Sequence, residues 1–149
     1  MSKPEFVYQT FIRASAERVW QGITDPEFTR QYFHATRITS TFEEGASVQY
    51  INGDGSAAVE GQVVTARRAE ELVITWHVLY DEDAAREAPS RVRFLLEDLG
   101  GQTRLTIVHD SFPEPTVVYP SISEGWPWIL AGLKSLLETG EALPPLAGS

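Results

Sequence analysis

The stretch from Glu124 to Gly140, EGWPWILAGLKSLLETG, constrains this chain more than any other. Trp126, Leu130, Leu133 and Leu137 recur at steps of four, three and four, with Ile129 and Leu136 widening the stripe, which is the spacing of one apolar helical face. Something apolar must cover that face. Lys134 and Glu138 mark the wet side, Gly140 stands where a left-handed helix cap stands, and Pro144-Pro145 forbid continuation, so the helix ends near Thr139. Pro127 lacks a backbone donor: it either occupies the first turn of a helix beginning around Glu124, the preferred reading, or kinks a longer one. Each large side chain buried on the stripe contributes about 1.5 to 3 kcal/mol, against a few tenths from helix propensity, so packing against a sheet decides the element.

A chain of 149 residues suits one domain with one sizeable core. Its 42% hydrophobic and 11% aromatic content supplies enough apolar surface to offset chain entropy, which argues against disorder. Lys+Arg 12 against Asp+Glu 21 gives a net charge of −9, and the basic residues are scattered, so duplex nucleic acid and anionic membranes are disfavoured as partners. With no cysteine there is no disulfide, thiol nucleophile or thiolate metal site, which suits a cytoplasmic location. The opening MSKPEFVYQTF lacks the apolar run of a signal peptide, and the longest apolar run, Trp126 to Leu133, is too short for a membrane span.

From Phe6 to Arg13 the pattern is that of a strand, broken by Phe11 in a way that suggests both faces are partly covered. Ser15 is a good N-cap for a short helix whose face carries Ala16, Val19, Trp20 and Ile23, and Asp25-Pro26 starts a second helix reaching about Phe33. From Ala35 the chain stays strand-like for some seventy residues, broken by turn signals at Glu43-Glu44-Gly45, Asn52-Gly53-Asp54-Gly55, Ala69-Glu70-Glu71 and Leu99-Gly100-Gly101. Val92, Phe94 and Leu96 alternate with Arg91, Arg93 and Leu95, and Leu105, Ile107 and His109 with Arg104, Thr106 and Val108, as one covered face demands; Leu72, Ile74, Trp76 and Val78 do the same. The acidic segment from Asp81 to Pro89 is expected to be a mobile loop, and Pro113 to Pro120 a connector. The fold class is therefore α+β: a strand, two short helices, about six further strands in an antiparallel meander, and a C-terminal helix gripped by the curved sheet. A bent sheet cannot meet a straight helix along its full length, and the space left is a natural ligand cavity.

Five stretches stand out by their order and spacing: Ile12-Arg13-Ala14-Ser15-Ala16-Glu17-Arg18-Val19-Trp20, Thr24-Asp25-Pro26, Leu72 with Trp76, Thr103-Arg104-Leu105-Thr106 leading to His109, and Gly125-Trp126 followed by Leu130, Leu133, Lys134, Leu137 and Glu138. Together they cover nearly the whole chain and resemble the SRPBCC or START-like superfamily, in the branch similar to the activator of heat-shock protein 90 ATPase. The resemblance implies a helix-grip fold with an internal pocket. It implies no particular reaction, because the superfamily includes lipid and hormone carriers, polyketide cyclases, toxin-antitoxin partners and chaperone regulators.

The chemistry visible in the residues is sparse. His34, His77 and His109 lack zinc-site spacing, and His77, one residue from Trp76, must face away from it, so no metal or cofactor is expected. His109 shares parity with Leu105 and Ile107 and turns inward, where it could anchor a ligand or serve as a core histidine. Acidic pairs sit at turns, Asp81-Glu82-Asp83 has Arg86 where a calcium loop needs glycine, and Ser111 has no nucleophile-elbow context, so no catalytic residue is assigned. The aromatics are core residues first, with Trp76 and Trp126 the best pocket candidates and Trp128, off the stripe, a candidate edge or homodimer contact. The expected ligand-contacting set is Phe33, Tyr50, Trp76, Phe94, His109, Trp126, Leu130 and Leu133. The leading expectation is a protein binding a hydrophobic or amphipathic small molecule; the alternatives are a protein-interaction module and a cyclase-like enzyme.

Overall fold

Strand β1 (Phe6–Ile12) leads into two capped helices. Ser15 accepts a hydrogen bond from the Arg18 N–H and starts α1 (Ala16–Thr24); Asp25 accepts from the Glu27 N–H and starts α2 (Pro26–Tyr32), with Pro26 in its first turn. The chain then forms β2 (Arg37–Thr39), β3 (Ser47–Ile51), β4 (Ala57–Arg67) and β5 (Glu71–Val78). A short helix α3 (Glu82–Ala85), strands β6 (Ser90–Asp98) and β7 (Thr103–Asp110), and the long helix α4 (Val118–Thr139) complete it. This computed structural model describes residues 4–144. Pro145 therefore lies outside the described residues.

All seven strands join one antiparallel sheet in the order β1-β7-β6-β5-β4-β3-β2, so the first strand closes onto the last across Phe6↔His109 and Ile12↔Thr103. Register shifts in β4 at Val63/Thr65 and in β3 at Tyr50/Ile51 mark bulges, which bend strands and raise local twist. Gly61 lies near the first: a Cβ there would stand 1.9 Å from the Thr75 carbonyl oxygen, so only glycine allows this approach of β4 to β5. The inner sheet face and α4 enclose the core, where Ile12, Leu72, Val92, Leu105, Ile107 and Leu133 are fully buried. Among the described residues no helix is long and apolar enough to cross a membrane.

Three expectations need correction. Helix α4 begins at Val118, not near Glu124, so Pro127 lies inside it and the stretch from Val118 to Pro120 is helix, not connector. Pro120 falls in the first turn, where its missing N–H costs nothing. The start is set from outside: Thr116 Oγ1 accepts from the N–H groups of Val118 and Tyr119 and donates to Glu87, whose carboxylate also accepts from the Val117 N–H. Second, the segment from Asp81 to Pro89 contains α3, because the Asp81 carboxylate accepts from the N–H groups of Asp83 and Ala84 and Ala84 packs into the core. Third, β1 is covered on one face only: Val7 and Phe11 are exposed, and Phe11 lies under the Arg104 guanidinium.

Candidate functional site

The first turns of α4 stand away from the β3–β5 end of the sheet, and a cavity of about 540 Å³ lies between them. Its wall is aromatic. Tyr50 comes from β3, Trp76 from β5, Trp126 from α4, and Phe33 from the residue that ends α2. Their rings touch in sequence: Phe33 stacks on Tyr50 at 4.5 Å between centroids, Tyr50 meets Trp76 at 5.3 Å, Trp76 meets Trp126 at 5.4 Å, and Trp126 returns to Phe33 at 5.7 Å. Contacts of this kind add about 0.5 to 1.5 kcal/mol each beyond the area they bury, so the wall is preformed. Ala58, Val59, Ile122 and Ile129 supply the aliphatic lining, and Gly125 leaves space where a side chain would stand. His34, Tyr80, Ser121 and Glu124, all exposed, mark the mouth.

Backbone conformation aims the mouth residues. His34 and Ala35 both have positive φ, 50° and 58°, after α2, an arrangement that costs about 1 to 2 kcal/mol per non-glycine residue. Thr36 holds this turn by donating both its N–H and its hydroxyl to the Phe33 carbonyl, at 2.9 and 2.7 Å. The His34 ring reaches Trp128 at 5.4 Å; although the residue as a whole is exposed, desolvation of the ring lowers its pKa from the ordinary value.

Beneath the cavity runs a closed hydrogen-bond relay. Trp126 Nε1, which can only donate, donates to His109 Nδ1 at 3.1 Å, so the proton of the neutral ring sits on Nε2. His109 Nε2 then donates to Ser90 Oγ at 2.7 Å, and Ser90 donates to the Trp76 carbonyl at 3.3 Å. His109 is wholly buried, stacks on Phe112 at 4.6 Å, and has its pKa pushed down to about 3 by burial, with Asp110 opposing weakly. Such an imidazole is neutral at any ordinary pH and has no free nitrogen.

Of the eight expected ligand-contacting residues, Phe33, Tyr50, Trp76 and Trp126 line the cavity. Phe94, His109, Leu130 and Leu133 are buried behind that layer and do not reach its surface. The inward parity of His109 is correct, yet the relay consumes both its nitrogens, which parity alone cannot reveal. Trp128, read from its place off the stripe as an edge or dimer contact, lines the cavity beside His34. Ile122 escaped notice because it precedes the expected helix start; carrying the stripe back from Trp126 by steps of four reaches Ile122 and Val118. His77 faces away from Trp76, and its Nε2 lies 2.8 Å from the Ala85 carbonyl. Among the described residues no three His, Asp or Glu side chains converge as a metal site would require.

The profile of the family described as "Activator of Hsp90 ATPase homolog 1-like protein" matches residues 13–138. The chain belongs to that family. Several solved structures share its fold at low identity. Protein MLL2253 from Mesorhizobium loti is 21% identical, with a TM-score of 0.77 over 90% of this chain and 96% of its own. The Aha1 dimer from Colwellia psychrerythraea is 19% identical, with a TM-score of 0.74 over 93% of this chain and 99% of its own. CalU16 from Micromonospora echinospora is 19% identical, with a TM-score of 0.70 over 91% of this chain and 77% of its own. No curated protein matches the chain. For the Activator of Hsp90 ATPase homolog 1-like fold these likenesses agree with the sheet order and the gripping helix.

Proposed function

We propose that this chain, as one domain, is a small-molecule-binding protein whose ligand, largely apolar, occupies the space between the sheet and the start of α4. The observation that carries this reading is the ring of Phe33, Tyr50, Trp76 and Trp126 facing a 540 Å³ cavity, a volume within the range of about 300 to 1,000 Å³ found for ligand sites. A wall built only to pack would close on itself. An enzymatic reading is less well supported, since His109 is held neutral and fully bonded behind the wall and His34, the histidine that lines the cavity, stands at its mouth. A second reading, self-association, is favoured by one likeness, to a chain described as the Aha1 dimer.

The test is to fill the cavity. A Cβ added at Gly125 meets nothing within 4 Å and the residue lines the cavity, so Gly125→Leu adds bulk there, and replacing a helical glycine adds about 0.5 to 1 kcal/mol of stability. The expected outcome is that wild type binds the neutral apolar dye Nile red, seen as a fluorescence increase, and that Gly125→Leu loses the signal while melting no lower. Equal dye binding by both proteins would refute occupancy of this cavity.

A further inference from the structure

Two hydrogen-bond donors on the aromatic wall are left unused by the protein. Elsewhere in the same layer the polar tips are occupied: Tyr32 donates to the Gly22 carbonyl at 2.7 Å, and Trp126 to His109. Tyr50 and Trp76 are 2% and 5% exposed, yet among the described residues neither the Tyr50 hydroxyl nor the Trp76 Nε1 meets a hydrogen-bonding partner. Nor is either sealed from solvent: Arg93 Nε, on the outer sheet face and 3.8 Å from Glu71, is the single fully sealed side-chain polar atom without a hydrogen-bond partner among the described residues. The trace of surface that Tyr50 and Trp76 retain therefore includes their polar tips, and both residues line the cavity.

An indole N–H can only donate, and a buried donor needs an acceptor. An occupant must therefore bring oxygen or another acceptor to this depth. Its charge is restricted too. Among the described residues no lysine or arginine lines the cavity, and Glu124 stands at the mouth, so an ionised carboxylate or phosphate would be desolvated with no compensating cation from them. We infer that the cavity selects neutral, ring-bearing molecules whose carbonyl-type oxygen accepts from the Tyr50 hydroxyl and the Trp76 indole N–H. This rests on the ligand-binding reading above and names its substrate class.

Three probes of one shape separate the two ideas: fluorene, 9-fluorenone, and 9-fluorenone-4-carboxylate, each titrated against the full chain by isothermal calorimetry at neutral pH. The expected result is that fluorenone binds about tenfold more tightly than fluorene, while the carboxylate binds at least about tenfold more weakly than fluorenone. Tyr50→Phe and Trp76→Phe should each weaken fluorenone about five- to tenfold more than they weaken fluorene, which makes fluorene the control for a trimmed or distorted wall. Fluorene binding as tightly as fluorenone, or both weakened alike in Tyr50→Phe, would overturn the donor role while leaving the cavity reading intact. Preference for the carboxylate would overturn the neutral class. If no probe binds while Nile red does, the acceptor proposal is overturned alone; if Nile red also fails, both readings fall.

Discussion

At the scale of single residues, His109 joins sheet and helix. Its two ring bonds link α4 through Trp126 to β6 through Ser90, and the bond that Nδ1 accepts from Trp126 exists only while the ring is neutral. The folded pKa, about 3, lies below the ordinary value of 6.5, so between these pH values the unfolded chain binds a proton that the folded chain refuses. The stability tied to this group is therefore fully present above about pH 6.5 and declines as pH falls toward 3, by up to about 1.4 kcal/mol per pH unit. His109→Phe should lose about 1 to 3 kcal/mol at pH 7, since Trp126 Nε1 is left unpaired, and should shed that part of the acid slope. Denaturant unfolding of both proteins from pH 7 to pH 4 measures this; parallel stability curves would show that His109 titrates as it would in water. His34 and the carboxylates titrate in both proteins, so the difference isolates His109.

At the scale of elements, α4 meets its neighbours through small residues. A Cβ at Gly22 of α1 would lie 2.7 Å from Leu133 Cδ1, and one at Gly132 would lie 3.2 Å from Tyr32 Cβ. Leu133, wholly buried, thus fills the hollow that Gly22 provides. Leu133→Ala should cost about 2 to 5 kcal/mol, the usual effect of a core cavity. Gly22→Ala should cost about 1 kcal/mol in the wild type by overpacking, and less or nothing in Leu133→Ala. Urea denaturation of the double-mutant cycle would refute this contact if the two changes added within about 0.5 kcal/mol. The stripe that places Leu133 inward was legible because it repeats along one helix. The helix start was not legible, because Glu87, 30 residues away, and Thr116 supply the caps that let α4 begin at Val118. The part of that cap supplied by Glu87 leaves no local signal, and Thr116 alone is a weak one. The same holds for the cavity: alternation along each strand shows which side chains face inward, but which of them reach the lining depends on where bulges bend the sheet away from α4.

At the scale of the whole molecule, the ends of the described fold are fastened together. Lys134 donates to the Phe11 carbonyl at 2.6 Å and to Glu138 at 2.7 Å, and Glu138 accepts from the Arg13 N–H at 2.7 Å. The antiparallel meander was readable from its turns, whereas the pairing of β1 with β7 was not, since no pattern within either strand names its partner. That pairing has a kinetic consequence. Phe6 must find His109, Ile12 must find Thr103, and α4 follows both, so the contacts that complete the core span most of the described chain. Loop closure on that scale precedes any energetic return, and refolding is expected in milliseconds to seconds, as for other sheets of high contact order. Stopped-flow tryptophan fluorescence checks this; recovery of the native signal within microseconds would refute it. On a ribosome, where the chain emerges at about 5 to 20 residues per second, β1 would wait seconds for its partner strand. The first strand of this sheet to be made is among the last to be seated, and through that interval Tyr8 and Ile12, which the finished fold packs into its core, are open to whatever strand comes near.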